Sequence, residues 1–125
     1  MDCPFCPKKI HSKIIAEHAT VFAIEDNFPV AKGHMLILPH RHTPDYFSMT
    51  ADEIRDADHL LRLLRERLLL EDATITGFNI GMNCGISAGQ TILHAHIHLI
   101  PRRDGDTPKP RGGVRGVIPE KMSYP

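Results

Sequence analysis

The stretch Leu93–Arg103, LHAHIHLIPRR, contains three histidines at two-residue spacing with an apolar residue after each. Strict alternation predicts a half-buried β-strand over Thr91–Pro101, with His94, His96 and His98 on one face. At about 3.3 Å per residue the outer imidazoles would lie about 13 Å apart, too far to share one metal ion through bonds of about 2 Å. A lone strand histidine is more often structural, but a row of three favours an extended substrate, because imidazole titrates near neutral pH.

The composition indicates one domain and leaves small ligands open as its partners. A chain of 125 residues with 42% hydrophobic content can bury its own core. Basic and acidic residues number 15 each, so the total charge does not favour a nucleic-acid polymer or an anionic membrane as partner. No apolar run approaches the roughly 18 residues of a spanning helix, and the N-terminus does not resemble a signal peptide. We therefore expect a cytoplasmic protein.

The remaining patterns predict an antiparallel α+β fold. Three segments indicate four strands: KIIAEHATVFAIED (13–26) as a hairpin, GHMLILPH (33–40) as a strand buried on both faces, and TGFNIGMNCG (76–85). Thr50 and Glu53 form a capping box that begins the one long helix. Its apolar residues recur at helical spacing, at Ile54, Ala57, Leu61, Leu64 and Leu68. Short turns or one helix can join all neighbouring strands, which favours antiparallel pairing. ISAGQ (86–90) is expected to form a tight loop.

The segment HAHIHLI (94–100) resembles the signature of the histidine triad (HIT) family. Other segments that resemble HIT proteins follow in the same order, at CPFC (3–6), FAIED (22–26), GHMLILPHRH (33–42) and NCGISAGQT (83–91). The resemblance covers residues 1–103, and a basic, Pro/Gly-rich tail follows over 104–125. It implies a five-stranded antiparallel sheet with one long helix and one or more short helices. It also implies a homodimer in which two sheets join into one of ten strands.

The resemblance implies nucleotide chemistry at the triad. His96 would attack the α-phosphorus of a nucleotide and form a nucleotidyl-histidine that water then hydrolyses, which divides one difficult step into two easier ones. His98 would contact the phosphate and the leaving group, and His34 matches a helper histidine of the family. Donors to the phosphate would stabilise charge in the transition state. The positions that match the family's phosphate loop are Asn83, the Gly89 backbone, Gln90 and Thr91.

The nucleoside would bind beside the triad in a site that the resemblance also implies. Asp26 matches an acid that accepts hydrogen bonds from the ribose hydroxyls. Phe5 and Ile24 match positions that line the base pocket. Taken alone, these apolar residues could equally belong to the core, whereas a carboxylate at the end of FAIED has no apolar role.

The pair Cys3 and Cys6 forms a C-x-x-C motif, while Cys84 stands alone. In a reducing compartment such a pair indicates a metal or redox site rather than a structural disulfide. A thioredoxin-like motif would begin a helix after a strand, whereas this one begins the chain. The resemblance implies a structural zinc ion that is bound by Cys3, Cys6, His42 and His94. His40 is an alternative to His42 as the third ligand.

Several substrates and functions remain open from the sequence. Dinucleoside polyphosphates such as diadenosine tetraphosphate are favoured, with adenosine phosphoramidates, or phosphorolysis in place of hydrolysis, as alternatives. A nucleotide-binding interaction module or a zinc-stabilised structural protein would be a non-enzyme. The tail carries six basic and three acidic residues from Pro101 onward. We expect its arginines beside a polyphosphate leaving group, because their forked donors suit phosphate oxygens, with a disordered tail as the alternative.

Overall fold

The fold is a five-stranded antiparallel sheet with one long helix, seen in a computed structural model that describes residues 3–125. The strand order is β1-β2-β3-β5-β4, so that β1 and β4 form the two edges. The elements are α1 (Pro7–Ile10), β1 (Ile14–His18), β2 (Val21–Glu25), β3 (Met35–Pro39), α2 (Ala51–Glu71), β4 (Ile75–Gly81) and β5 (Ile97–Arg103). This confirms the predicted α+β class. Among the described residues, no helix has the length and apolar character needed to cross a membrane.

The long helix α2 begins at the predicted capping box. The Thr50 hydroxyl accepts a hydrogen bond from the Glu53 backbone, and the Glu53 carboxylate accepts one from the Thr50 backbone at 2.8 Å. The same carboxylate binds Arg41 at 2.8 Å, which ties the helix to the segment after β3. The buried stripe of α2 consists of Ala57, Leu60, Leu64 and Leu68 and packs on one face of the sheet.

The two faces of the sheet bury different apolar clusters. Strand β3 is buried along its whole length, as its apolar run predicted. Its residue Ile37 faces α2 and the main core, together with Leu99 from β5. Leu36 and Leu38 belong to a smaller cluster on the opposite face, with Phe22 and Ile24 from β2. That opposite face is the one that carries the candidate site described below.

The triad strand begins later than its alternation predicts. Strand β5 starts at Ile97, so that His94 and His96 precede the sheet instead of lying in it. The backbone of Ala95 donates to the Thr43 carbonyl at 2.7 Å, a partner outside the sheet. The prediction of a strand over 91–101 was therefore wrong for its first six residues. Strand β4 likewise ends at Gly81, where it pairs with His98, and not at residue 85.

The tail after Arg103 is irregular, as predicted, but it folds back on itself. It contains two short 3-10 helices, Gly113–Val117 and Pro119–Lys121. Gly112 makes the reversal possible, because its φ of 98° and the overlap of any Cβ with the Met122 carbonyl oxygen both require glycine. The segment therefore has a defined surface of its own.

Candidate active site

Two cysteines and two histidines meet where the N-terminus contacts the segment before β5. The Sγ of Cys3 lies 3.4 Å from Nδ1 of His94, and the Sγ of Cys6 lies 3.3 Å from Nδ1 of His42 and 3.7 Å from that of His94. All four ligand atoms lie within 4.8 Å of one another. A tetrahedral zinc ion with sulfur and nitrogen ligands needs separations of about 3.3–3.8 Å, so the donor set fits this metal.

The ring of His94 is oriented for that cluster. Its Nε2 lies 2.8 Å from the Pro39 carbonyl oxygen, which can only accept, so this nitrogen carries the proton. The lone pair then lies on Nδ1 and faces the two cysteines. The rival ligand His40 points elsewhere, 3.6 Å from the Glu17 carboxylate and against the Phe22 ring.

The ring of His96 has the opposite tautomer. Its Nδ1 lies 2.7 Å from the His94 carbonyl oxygen and must donate to it. Nε2 is therefore unprotonated in the neutral ring and offers its lone pair. The Phe5 ring packs edge-on at 5.1 Å between centroids and limits rotation of the imidazole. The arrangement presents a nucleophilic nitrogen.

A chain of hydrogen bonds sets the tautomer of His98. The backbone N–H of Val30 donates to Nδ1 of His34 at 3.1 Å, so the proton of a neutral His34 lies on Nε2. That nitrogen lies 2.9 Å from Nδ1 of His98 and donates to it. His98 therefore carries its proton on Nε2. His34 is buried and does not line the cavity, so it acts as a positioning residue through His98.

Asp26 lies beside this pair of rings. Its Oδ1 accepts from the Phe28 backbone at 2.8 Å, and its Oδ2 lies 3.4 Å from Nε2 of His34 and 3.8 Å from Nδ1 of His98. The three ligand atoms are spaced closely enough for a metal ion. However, the Val30 N–H occupies the other nitrogen of His34 and keeps a proton on Nε2. The cluster is thus a hydrogen-bond relay in this geometry.

A cavity of about 450 Å³ brings most of the predicted nucleotide-binding residues together. Both His96 and His98 line it, and the predicted residues that join them are Phe5, Ile24, Asp26, Asn83, Gly89 and Thr91. Phe28 also lines the cavity, and sequence reasoning missed it. It is 87% exposed, an unusual position for a phenylalanine, and only the structure reveals that it borders the cavity.

Two residues of the predicted phosphate loop already form hydrogen bonds with backbone groups of the protein. The Gln90 side chain is buried, accepts from the Gly85 backbone at 2.8 Å, and donates to the carbonyls of Pro44 and Ile92. Its amide therefore braces the loop and does not reach the cavity. The Gly89 N–H donates to the Ile86 carbonyl at 2.9 Å, so it is also unavailable to a phosphate. The donor roles of both residues toward a phosphate stay predictions, which would require these contacts to be exchanged when a phosphate binds.

The comparison with known protein families covers both the sheet and the three triad histidines. A family model described as the HIT domain matches residues 7–105, about four fifths of the chain. The chain belongs to the HIT family. The fold and the triad together place this HIT protein within a family of nucleotide hydrolases and transferases.

Relatives of known sequence or structure extend over most of this HIT chain. A 16.1 kDa HIT-like protein of Mycoplasma pneumoniae is 36% identical over 104 residues, which cover 81% of this chain and 72% of the relative. The structure of a histidine triad nucleotide-binding protein from Candida albicans is 32% identical in sequence and matches with a TM-score of 0.73. The matched region covers 85% of this chain and 78% of the Candida albicans chain. A bis(5'-nucleosyl)-tetraphosphatase (asymmetrical) of Schizosaccharomyces pombe is 33% identical over 78 residues, 62% of this chain and 42% of that enzyme.

Burial keeps the two rings of the relay uncharged. It lowers the pKa of His34 below its ordinary value of 6.5, while the Asp26 carboxylate acts weakly in the opposite direction. Burial also lowers the pKa of His98, and the nearby His96 and His34 add to that effect. Both rings are therefore neutral at pH 7, as the tautomer assignment requires.

The free energy of unfolding is expected to fall as the pH drops below about 6.5. Both folded pKa values lie below the unfolded value, so the unfolded state binds protons first on acidification. The contribution of His34 and His98 is fully present above the unfolded pKa and is lost as the pH falls toward the folded values. Urea unfolding near neutral pH and at mildly acidic pH measures this effect.

A double variant, His34→Asn with His98→Asn, isolates the contribution of the two rings. It retains the cysteine–histidine cluster, whose own pH dependence is then common to both proteins. The stability of the variant should depend less steeply on pH than that of the wild type. Identical pH dependence in the two proteins would contradict the role of burial at these rings.

Proposed function

We propose that this HIT protein hydrolyses dinucleoside polyphosphates, such as diadenosine tetraphosphate, at the α-phosphorus through a nucleotidyl-His96 intermediate. The observation that supports this most strongly is the contact between Nδ1 of His96 and the His94 carbonyl oxygen, because it leaves Nε2 free to attack. The neighbouring cavity contains a carboxylate, two phenylalanine rings and three uncharged polar side chains, a combination suited to a nucleotide.

The first step forms one bond and breaks another at phosphorus. Nε2 of His96 attacks the α-phosphorus, the bond to the bridging oxygen breaks, and that oxygen leaves with its electron pair as part of the departing polyphosphate. The Nε2–H of His98 stabilises charge on the phosphoryl or leaving oxygen by hydrogen bonding. Water then attacks the same phosphorus, displaces His96 and yields a nucleoside monophosphate and a proton.

The neutral state of His98 favours a phosphate leaving group. A neutral imidazole is a good hydrogen-bond donor but a poor source of a proton. A polyphosphate departs without being protonated, whereas an amine leaving from a phosphoramidate needs a proton. Burial, which lowers the pKa of His98, therefore supports polyphosphate cleavage over phosphoramidate cleavage. The tetraphosphatase of Schizosaccharomyces pombe, to which the chain is similar, is consistent with this choice.

The nucleoside half of the substrate is proposed to bind between the two aromatic rings and Asp26. Asp26 lines the cavity, and its carboxylate can accept from ribose hydroxyls. Phe5 and Phe28 offer stacking surfaces for a base with little base specificity, with the buried side chain of Ile24 beneath them. Asn83 and Thr91 are the polar side chains of the loop that border the phosphate position.

The alternatives differ in the group that leaves or enters. Adenosine phosphoramidate hydrolysis would use the same nucleophile with an amine leaving group, and phosphorolysis would replace water with inorganic phosphate. A nucleotide-binding module that does not cleave its ligand would not need an unprotonated Nε2 on His96. Product analysis with diadenosine tetraphosphate, with and without phosphate, distinguishes these cases.

Replacing the proposed nucleophile, His96→Gly, should reduce turnover by at least about 10³-fold while leaving nucleotide binding detectable. Rapid quench with a substrate labelled in the nucleoside should trap acid-labile label on the wild-type protein but not on this variant. The control is His59→Gly, an exposed histidine on α2 outside the cavity. Full turnover by the His96 variant, or label on another residue, would contradict the mechanism.

We also propose that the cysteine–histidine cluster binds one structural zinc ion through Cys3, Cys6, His42 and His94. The ion would close a tetrahedral site without a bound water, and would fix the segment from which the His94 carbonyl reaches His96. The spacing of the four ligand atoms supports this assignment.

The zinc proposal predicts about one metal ion per chain in tag-free protein. Replacing one ligand, Cys3→Ala, should lower the metal content and the melting temperature, because metal binding adds directly to folding stability. The matched control is Cys84→Ala, a partly buried cysteine outside the cluster. Metal-free wild-type protein with unchanged stability would refute the assignment.

A homodimer is proposed through the edge strand β4. Among residues 3–125, which the structure describes, this strand pairs only with β5, which leaves its other edge free to pair with a second copy. Beside it lies an apolar cleft between β4 and α2 that includes Ile54, Leu61, Ile80 and Met82. Pairing of two β4 strands would give the ten-stranded sheet that the family resemblance implies.

A further inference from the structure

A second cavity, of about 700 Å³, lies between the tail and the outer ends of β4 and β5. Its floor includes Asn79 of β4 and Ile100 and Arg102 of β5, and its outer wall is formed by Val114 and Val117 of the tail. None of these residues has a role in the triad chemistry described above. The cavity is large enough to hold a nucleoside.

This second cavity continues the first along the same face of the sheet. Side chains alternate along β5, so that Leu99 points into the main core while His98, Ile100 and Arg102 share the opposite face. His98 lines the first cavity, and the next two residues on this face of β5, Ile100 and Arg102, line the second.

The loop between β2 and β3 also connects the two cavities. Asp26 and Phe28 line the first cavity, and Val30 and Lys32 line the second. The same loop supplies the backbone N–H that sets the His34 tautomer. A ligand that extends past His98 would thus remain in contact with one continuous loop.

Two of the three basic side chains that line the second cavity are paired with carboxylates. Arg102 binds the Asp106 carboxylate at 2.7 Å, and Arg103 binds that of Asp72 at 2.8 Å, while Lys32 is the third. The part of the tail that faces the cavity is mostly apolar, through Val114, Val117 and two glycines, with Asp106 and Thr107 as its polar side chains. Such a lining suits a nucleoside better than a free polyphosphate.

The other tail arginines are used inside the tail. Arg111 and Arg115 each lie 5.0 Å from the ring centre of Tyr124. Arg115 also donates to the carbonyls of Lys121 and Met122, and Arg111 to that of Pro125. The folded tail already engages both side chains, so the expected contact with a polyphosphate leaving group stays a prediction that finds no support in these contacts.

We propose that the second cavity binds the second nucleoside of a dinucleoside polyphosphate, on the leaving-group side. In-line displacement puts the leaving oxygen on the side of phosphorus opposite His96. Along the chain that direction passes His98 and continues to Ile100 and Arg102, which line the cavity. This inference rests on the proposed function and adds to it the place where the second nucleoside of the substrate binds.

The test compares two substrates that share a tetraphosphate but differ in the second nucleoside. These are diadenosine tetraphosphate and adenosine 5'-tetraphosphate, which carries at least as much negative charge. Wild-type kcat/KM should favour the dinucleoside by about tenfold or more, since burial of a second base adds roughly 1.4 kcal/mol or more of binding in the transition state. The ratio of the two kcat/KM values is the measured quantity.

Two variants place a carboxylate in the apolar wall, Val114→Asp and Val117→Asp. Both side chains are largely exposed, so the substitutions leave the core intact. Each should lower the dinucleoside to mononucleoside ratio about tenfold. The matched control is Ile118→Asp, an exposed neighbour outside the cavity, which should keep the wild-type ratio. Simple charge repulsion would instead affect the more highly charged mononucleoside at least as strongly.

Binding measurements separate failure of this inference from failure of the proposed function. In a His96→Gly background, calorimetry should give tighter binding for diadenosine tetraphosphate than for adenosine 5'-tetraphosphate, and Val117→Asp should remove the difference. If wild-type protein cleaves neither substrate, the proposed function fails while this binding comparison still decides the subsite. Equal kcat/KM values and equal affinities for the two compounds would overturn the subsite, as would the same loss of ratio in the Ile118 control.

Discussion

The hydrogen bond from Nδ1 of His96 to the His94 carbonyl oxygen is the contact on which the candidate chemistry depends. It decides which nitrogen of His96 holds a lone pair, and it can do so only if the His94 backbone is fixed. The His94 side chain supplies that restraint. Its Nε2 donates to the Pro39 carbonyl at the end of β3, and its Nδ1 faces Cys3 and Cys6. The first triad histidine therefore holds the second in place.

The three triad imidazoles divide their tasks because each has a different hydrogen-bond partner. A carbonyl fixes His94 with its lone pair toward the cysteines, and another fixes His96 with its lone pair toward the cavity. His98 instead accepts from His34, which in turn accepts from the Val30 backbone, so its proton is directed outward. One short segment thus supplies the proposed metal ligand, the proposed nucleophile and a hydrogen-bond donor from a single residue type.

Short-range patterns predicted much of the fold. The capping box at Thr50 and Glu53 and the fully buried strand β3 both depend on neighbours within a few residues, and both were confirmed. The start of β5 was predicted wrongly because its alternation continues through His94 and His96, whereas Ala95 pairs with Thr43 about fifty residues earlier in the chain. Local periodicity carries no information about such a partner.

The same limit explains which contacts of the predicted site residues the sequence could not show. The resemblance identified the residues around the cavity, but it could not reveal that Gln90 and Gly89 already have hydrogen-bond partners within their own loop. Net charge suggested a phosphate-binding tail, yet Tyr124 and several carbonyls engage its arginines. In both cases residue type indicated a capacity for binding, and the folded contacts determined whether that capacity is available.

Nitrogen-15 NMR of the histidine rings near neutral pH tests the central claim most directly, because the two nitrogens of a neutral imidazole have distinct shifts in each tautomer. The account predicts the Nδ1–H tautomer for neutral His96 and the Nε2–H tautomer for His34 and His98, with the His34 and His98 rings neutral. An Nε2–H tautomer at His96 would contradict it, since no lone pair would then face the cavity.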